Sequence, residues 1–375
     1  MPDAIPSLAT YSLLGRSGLR VSPMCLGTMT FGTEWGWGSP EDTARRIFDE
    51  YLDAGGNFVD TANGYTNGKS EELVGKFMQG KRDRVVLATK YTFNMGPGNP
   101  NAGGNGRKNL LASLDASLRR LQTDYIDLYW MHLWDGITPI EEVMSTMNDL
   151  VRAGKIRAIG LSDVPAWYLS RAQTMAELRG WERVAATQLE YSLVERNIER
   201  EHVPAALELG IGLLPWSPLA AGLLSGKYQR HAEEGGKGEG RLEITKAKPA
   251  PGVKPMVTRN PGDRFSEENF KVVDALVAVA KELGRSAAEV ALSWITKRPG
   301  VVSTIIGATK PEQLHDNLKA LELEIPAKLA AKLEELTRPP LVFPYRFFEG
   351  GPVRTRMLNG GLTVQAEPAW YRPRG

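Results

Sequence analysis

Short apolar runs, too brief for helices and rich in β-branched or aromatic residues, alternate along this chain with stretches of helical periodicity. The runs include Asn57 to Ala62, Val85 to Lys90, Ile126 to His132, Ala158 to Ser162, Ala186 to Tyr191, Gly212 to Pro215 and Val302 to Ile306. Runs of this kind are the pattern of parallel strands covered on both faces. Between them the spacing predicts helices over Ser39 to Ala54, Ser70 to Gln79, Leu110 to Leu121 and Ile140 to Ala153, the first with Ser39 as N-cap and Pro40 as its first helical residue. Parallel neighbours need long crossovers, so eight strands separated by helices leave two architectures: a closed parallel barrel or an open doubly wound sheet. Ahead of them, Leu13 to Val21 reads as a small hairpin punctuated by Gly15 and Gly18.

A chain of 375 residues is long for one average domain, but α/β barrels reach this size around a single core. No interdomain linker stands out, so residues 1–375 are expected to form one domain, with a barrel over about 11–336 and a C-terminal extension over 337–375. Lys and Arg number 46 against 44 Asp and Glu, a net charge of +2 that gives no reason to expect nucleic acid or an anionic membrane as partner. Cys25 is the single cysteine, which excludes an internal disulfide and a cysteine-rich metal site and fits a reducing cytoplasm. His202, His231 and His315 have no ligand spacing with one another or with Cys25, so no metal is expected. The chain shows no secretory signal and no run of about 18 apolar residues, which makes a soluble cytoplasmic protein the expectation. Three segments break the strand–helix rhythm: Asn94 to Gly106, Gln229 to Asp263, and the aromatic tail Thr337 to Gly375 with Phe343, Tyr345, Phe347, Phe348, Trp370 and Tyr371. Loops beyond about 12 to 15 residues are usually functional or disordered.

Four polar residues, Asp60, Tyr65, Lys90 and His132, fall at or just past the carboxyl ends of three of the runs. In a parallel barrel those ends open onto one face, where reacting groups gather. A lone tyrosine, with a pKa near 10, is a poor acid at neutral pH. A lysine ammonium beside the phenol favours its ionised form, and a carboxylate beside the lysine keeps that lysine charged and oriented. A neutral histidine N–H can then hold a carbonyl oxygen next to the tyrosine hydroxyl. None of these groups supplies electrons, so a reduction needs a bound cofactor.

The order and spacing of these pieces resemble the aldo-keto reductase superfamily, NADPH-dependent carbonyl reductases on a (β/α)8 TIM barrel. The resemblance runs from about Tyr11 to about Leu336. It rests on Phe58-Val-Asp-Thr-Ala62 with Tyr65, Leu87-Ala-Thr-Lys90, the His132 strand, Gly160-Leu-Ser-Asp163, Gln188-Leu-Glu-Tyr-Ser192, Trp216-Ser-Pro-Leu219, Gly222-Leu-Leu-Ser-Gly-Lys227 and Ile306-Gly-Ala-Thr-Lys-Pro-Glu-Gln313 with Asn317. It chooses the barrel over the open sheet and implies a hairpin plug at the barrel bottom. It also implies Tyr65 as general acid, tuned by Lys90 and Asp60, with His132 orienting the carbonyl.

For the cofactor, NADPH with NADH binding more weakly, the resemblance implies Ser162, Asp163 and Gln188 at the carboxamide and Trp216 on the ring face. Gly27, Thr28, Met29, Asp60, Ser217 and Pro218 would also bind the cofactor, and Leu219, Gly222, Leu224 and Lys227 would wrap the pyrophosphate. Thr309, Lys310, Gln313 and Asn317 would hold the adenosine end, with the 2′-phosphate at a helix N-terminus, and Gly307 would also bind the cofactor. Two positions depart from the family's usual pattern: asparagine is more common than Asp163, and tyrosine or phenylalanine than Trp216. No Gly-x-Gly-x-x-Gly fingerprint occurs, and the glycines of Gly222 to Lys227 are one residue too close for a Walker loop. Trp35, Trp37, Tyr91, Phe93 and Trp134 are expected to ring the substrate, which favours aromatic or alicyclic carbonyl compounds, with Asn94 to Gly106 and the tail as lids. Two competing readings are an NADPH-binding regulatory subunit resembling potassium-channel β subunits, and a Schiff-base lyase using Lys90. The sequence carries no signal for oligomeric state.

Overall fold

The computed structural model describes residues 8–228, 264–348 and 353–362. The insertion over 229–263 and the tail aromatics Trp370 and Tyr371 lie outside the described residues. A two-stranded hairpin, β1 (Ser12–Leu13) and β2 (Arg20–Val21), precedes eight parallel strands. These are β3 (Met24–Gly27), β4 (Phe58–Asp60), β5 (Val86–Tyr91), β6 (Ile126–Met131), β7 (Ile156–Ser162), β8 (Val184–Glu190), β9 (Gly212–Trp216) and β10 (Thr304–Ile306). Hydrogen-bonded order follows chain order, except that β10 pairs with β3. The ring closes where the Leu213 N–H donates to Gly300 O at 2.9 Å and the Val302 N–H donates to Leu213 O at 3.0 Å. With helices between the strands, this is the (β/α)8 TIM barrel that the strand–helix rhythm allowed and the resemblance implied. No helix among the described residues is long and apolar enough to cross a membrane.

Strand alternation creates two cores. Outward residues such as Leu87, Tyr91, Tyr129 and Met131 pack against the surrounding helices. Inward residues, Cys25, Phe58, Ala88, Leu128, Trp130, Ala158, Ala186 and Leu214, fill the barrel itself. Leu14 and Val21 of the hairpin join this inner cluster, so the plug seals the end opposite the strands' carboxyl termini. Gly15 at its turn has φ +57, and a Cβ there would lie 2.2 Å from Ala185 O, so only glycine lets the plug seat.

Two helix starts differ from the sequence expectation. The first helix runs Glu41–Asp53 with Pro40, not Ser39, in the cap position. The Ser39 N–H is taken by Thr30 O at 2.7 Å and its hydroxyl donates to Thr309 O at 3.2 Å, so the residue ties the first and last strand–helix loops together. The third helix, Arg107–Leu121, begins ahead of its apolar stripe. Its exposed start is satisfied from outside, by Glu142 Oε1 accepting the Arg107 N–H at 2.7 Å.

Trp130 is the largest side chain in the barrel and is fully buried. Its ring lies where a Cβ on Gly160 would fall, 2.2 Å from Trp130 Cε3. Gly160→Ala is therefore expected to destabilise the protein by about 1 to 3 kcal/mol through overpacking, read as a lower urea midpoint with unchanged slope. A midpoint equal to wild type contradicts this packing.

Candidate active site

Asp60 ends β4 in register with Ala88 of β5. Lys90 comes two residues after Ala88 and so shares its inward face. Its ammonium reaches Asp60 Oδ2, Thr61 O at 2.9 Å and the Tyr65 hydroxyl at 3.0 Å. An ammonium has three hydrogens, and each has an acceptor. Because Tyr65 Oη accepts from Lys90, its own proton is directed elsewhere. The Tyr65 backbone is set by a tight turn: Thr66 and Asn67 are left-handed, and Thr66 Oγ1 donates to Phe31 O at 2.9 Å while accepting the Ser70 N–H at 3.0 Å.

Lys90 has no exposed surface and Asp60 almost none. Burial alone would lower the lysine, but the Asp60 carboxylate and Tyr65 outweigh it and hold Lys90 above its ordinary range. Burial pushes Asp60 upward, opposed by Lys90, Gln188 and the Trp130 indole. That indole makes no hydrogen bond of ordinary geometry. Gln188 lies on β8, across the barrel, and its Nε2 donates to Asp60 Oδ1 at 3.2 Å.

His132 follows β6. Burial, aided by the Lys90 charge, holds its imidazole well below the usual histidine value, so it is neutral at neutral pH. Its ring stands edge-on to Tyr65 at 5.9 Å and tilts against Phe93 at 4.2 Å. Two residues that sequence reasoning passed over fix this strand end: the Thr92 hydroxyl donates to Asn105 Oδ1 at 2.7 Å and accepts the His132 N–H at 3.1 Å. Thr92 has φ +107, rare for a β-branched residue. The Asn94 to Gly106 loop is thereby pinned at its base, with Asn105 Nδ2 donating to Leu133 O at 2.9 Å.

Asp60, Tyr65, Phe93, His132 and Gln188 face a cavity of about 1280 Å³ at the strands' carboxyl ends, with Lys90 buried behind them. The cavity is larger than the pockets of about 300 to 1,000 Å³ typical of drug-sized ligands. Gly27, Met29, Asp60, Ser162, Asp163, Gln188, Trp216, Ser217, Pro218, Leu219, Gly222, Lys227, Gly307, Thr309, Gln313 and Asn317 line it, as do Trp37, Tyr65, Phe93 and His132. The buried Ser162 Oγ has no hydrogen-bond partner among the described residues, so this wall holds an unspent polar atom. The Trp216 Nε1–H donates to Asp163 Oδ1 at 3.0 Å. Gly222, at φ +94, lies under the Lys227 side chain, whose Nζ would be 3.3 Å from an added Cβ.

Several expected residues stand elsewhere. Tyr91 is fully buried and stacks on Tyr129 at 5.4 Å, because a residue next to an inward lysine points outward; it is not part of a substrate wall. Trp35 braces Tyr65 edge-on at 6.5 Å without lining the cavity, and Trp134 packs on Trp167 at 5.5 Å. Thr28 is buried behind Asp60, its hydroxyl donating to Asp60 O at 3.1 Å. Leu224 is a core residue, and its amide and that of Gly222 both donate to Leu219 O inside the turn. Lys310 is exposed at the rim, capping the helix Pro311–Leu318 in extended conformation. On the far wall Arg264 pairs with Glu190, a contact between distant segments that no sequence signal announces.

Residues 23–338 match the sequence profile of the aldo/keto reductase family. An aryl-alcohol dehydrogenase of Pestalotiopsis microspora is 35% identical, over 99% of this chain and 95% of its own. A norsolorinic acid reductase of Emericella nidulans is also 35% identical, over 92% of this chain and 87% of its own. An aryl-alcohol dehydrogenase [NADP(+)] of Phanerodontia chrysosporium is 35% identical, over 89% and 87%. With the family profile spanning the barrel and its cavity, the chain belongs to the aldo/keto reductase family, oxidoreductases that act on small carbonyl compounds with a nicotinamide cofactor.

Proposed function

We propose that this protein is an NADPH-dependent reductase of aldehydes and ketones, working in reverse as an alcohol dehydrogenase. The observation that carries the reading is the buried Lys90 ammonium, which donates to both Asp60 and Tyr65, two residues that line the cavity. When bound, NADPH supplies the electrons as hydride. Tyr65 donates its proton to the carbonyl oxygen, and Lys90 stabilises the phenolate left behind through a charge-assisted hydrogen bond. Asp60 keeps Lys90 charged and aimed. Neutral His132 donates to the same carbonyl oxygen and polarises it as negative charge develops. Phe93 and Trp37 present apolar ring surface to the same cavity.

The residues present suit such a cofactor. Ser162, Asp163 and Gln188 offer donors and acceptors for a carboxamide, and Trp216 offers a flat surface for the ring. Lys227 and Lys310 supply cations for phosphates, Lys310 beside a helix N-terminus. The printed name of one relative, which includes NADP(+), supports the phosphorylated cofactor. A Schiff-base role for Lys90 is disfavoured, because an ammonium with all three hydrogens engaged has no lone pair to attack a carbonyl.

Tyr65→Phe is expected to lower single-turnover carbonyl reduction by about 10²- to 10⁴-fold while leaving NADPH affinity within about twofold. Retention of more than a tenth of the wild-type rate would refute Tyr65 as the acid. NADPH should bind about ten- to a hundredfold more tightly than NADH, the worth of a charged hydrogen bond. Lys310→Ala should erase most of that difference in fluorescence titrations, and an unchanged ratio moves the phosphate contact to another residue. Trp37 and Phe93 also favour apolar ring substrates, as the aryl-alcohol and norsolorinic acid names of the relatives suggest. Higher kcat/KM on aromatic or alicyclic carbonyls than on open-chain sugars is the expected result, and a consistent preference for sugars contradicts it.

A further inference from the structure

Asp163 and Trp216 are the two cavity residues that depart from the usual pattern, and they bond to each other. Asp163 follows β7 in left-handed conformation, φ +45. Its N–H donates to Gln188 O at 3.1 Å, and its carbonyl accepts the Trp134 N–H at 3.3 Å. The indole of Trp216, at the end of β9, donates to Oδ1 at 3.0 Å. Backbone and side chain are thus both fixed at the cavity wall, beside Ser162 and Gln188.

None of this geometry requires a carboxylate. Asparagine adopts left-handed backbone as readily as aspartate, and its carbonyl oxygen would accept the same indole N–H. What aspartate adds is a fixed negative charge. The nicotinamide ring is a cation in NADP⁺ and neutral in NADPH, so such a charge acts on only one of the two forms. Resting on the cofactor reading above, we infer that Asp163 biases this site toward binding the oxidised cofactor. Trp216 is the positioning residue that keeps the carboxylate at the wall. The carboxylate could also accept from a carboxamide NH2, a contact that would be equally open to both forms of the cofactor.

The test is calorimetric titration of the full-length protein with NADP⁺ and, separately, with NADPH, in wild type and Asp163→Asn. Substitution leaves the size and the indole acceptor in place and removes the charge. A charge acting across a few ångströms in a partly hydrated cleft is worth about tenfold. NADP⁺ should therefore weaken about tenfold relative to NADPH in the variant, whatever common change both undergo. An unchanged ratio, with both cofactors binding both proteins, overturns the inference and leaves the cofactor reading standing. Failure of wild type to bind either cofactor overturns that reading and the inference with it.

Discussion

A buried ammonium with three acceptors organises this molecule's functional end. Lys90 sits inside the barrel with no exposed surface, where an unpaired charge would be prohibitively costly. Its position is tolerable only because Asp60, Thr61 O and Tyr65 converge on it. Removing one partner of such a pair typically costs about 3 to 5 kcal/mol, more than the intact pair contributes to stability. Retention of the pair is therefore better explained by chemistry than by folding.

Around that centre the barrel divides its labour by height. Its lower interior is packed by the hairpin plug and inward apolar residues such as Phe58, Leu128 and Ala158, and directly below the site Gly160 makes room for the Trp130 indole. The upper end stays open, and polar strand-end residues replace apolar ones there. Gln188 spans that open end by reaching from β8 to Asp60 across the barrel. A wall residue facing the cavity is thus coupled to the carboxylate that holds Lys90 through one hydrogen bond.

The loops add positional control. Thr92 holds the His132 strand end and the base of the Asn94 to Gly106 loop through one hydroxyl. Ser39 ties the start of the first helix to Thr309 in the adjacent loop after β10. Neither residue type carries a distinctive sequence signal, since an isolated threonine or serine after a strand is ordinary. Their roles arise from contacts between segments that are remote in the chain.

Legible in the sequence are the barrel's alternating elements, the strand-end group Asp60, Tyr65, Lys90 and His132, and most of the cavity wall. Those properties are written in local periodicity and in residue types at strand ends, and the ordered motifs chose between two architectures that periodicity left open. Tertiary structure alone decided which aromatics face the cavity, because one step along a strand sends Tyr91 outward while Lys90 points in. It also decided that Thr28 and Leu224 support the wall from behind, that Arg264 meets Glu190, and that Asp163 pairs with Trp216. Each of these depends on register and closure of the strands around the ring, a relation between distant segments that no local pattern encodes.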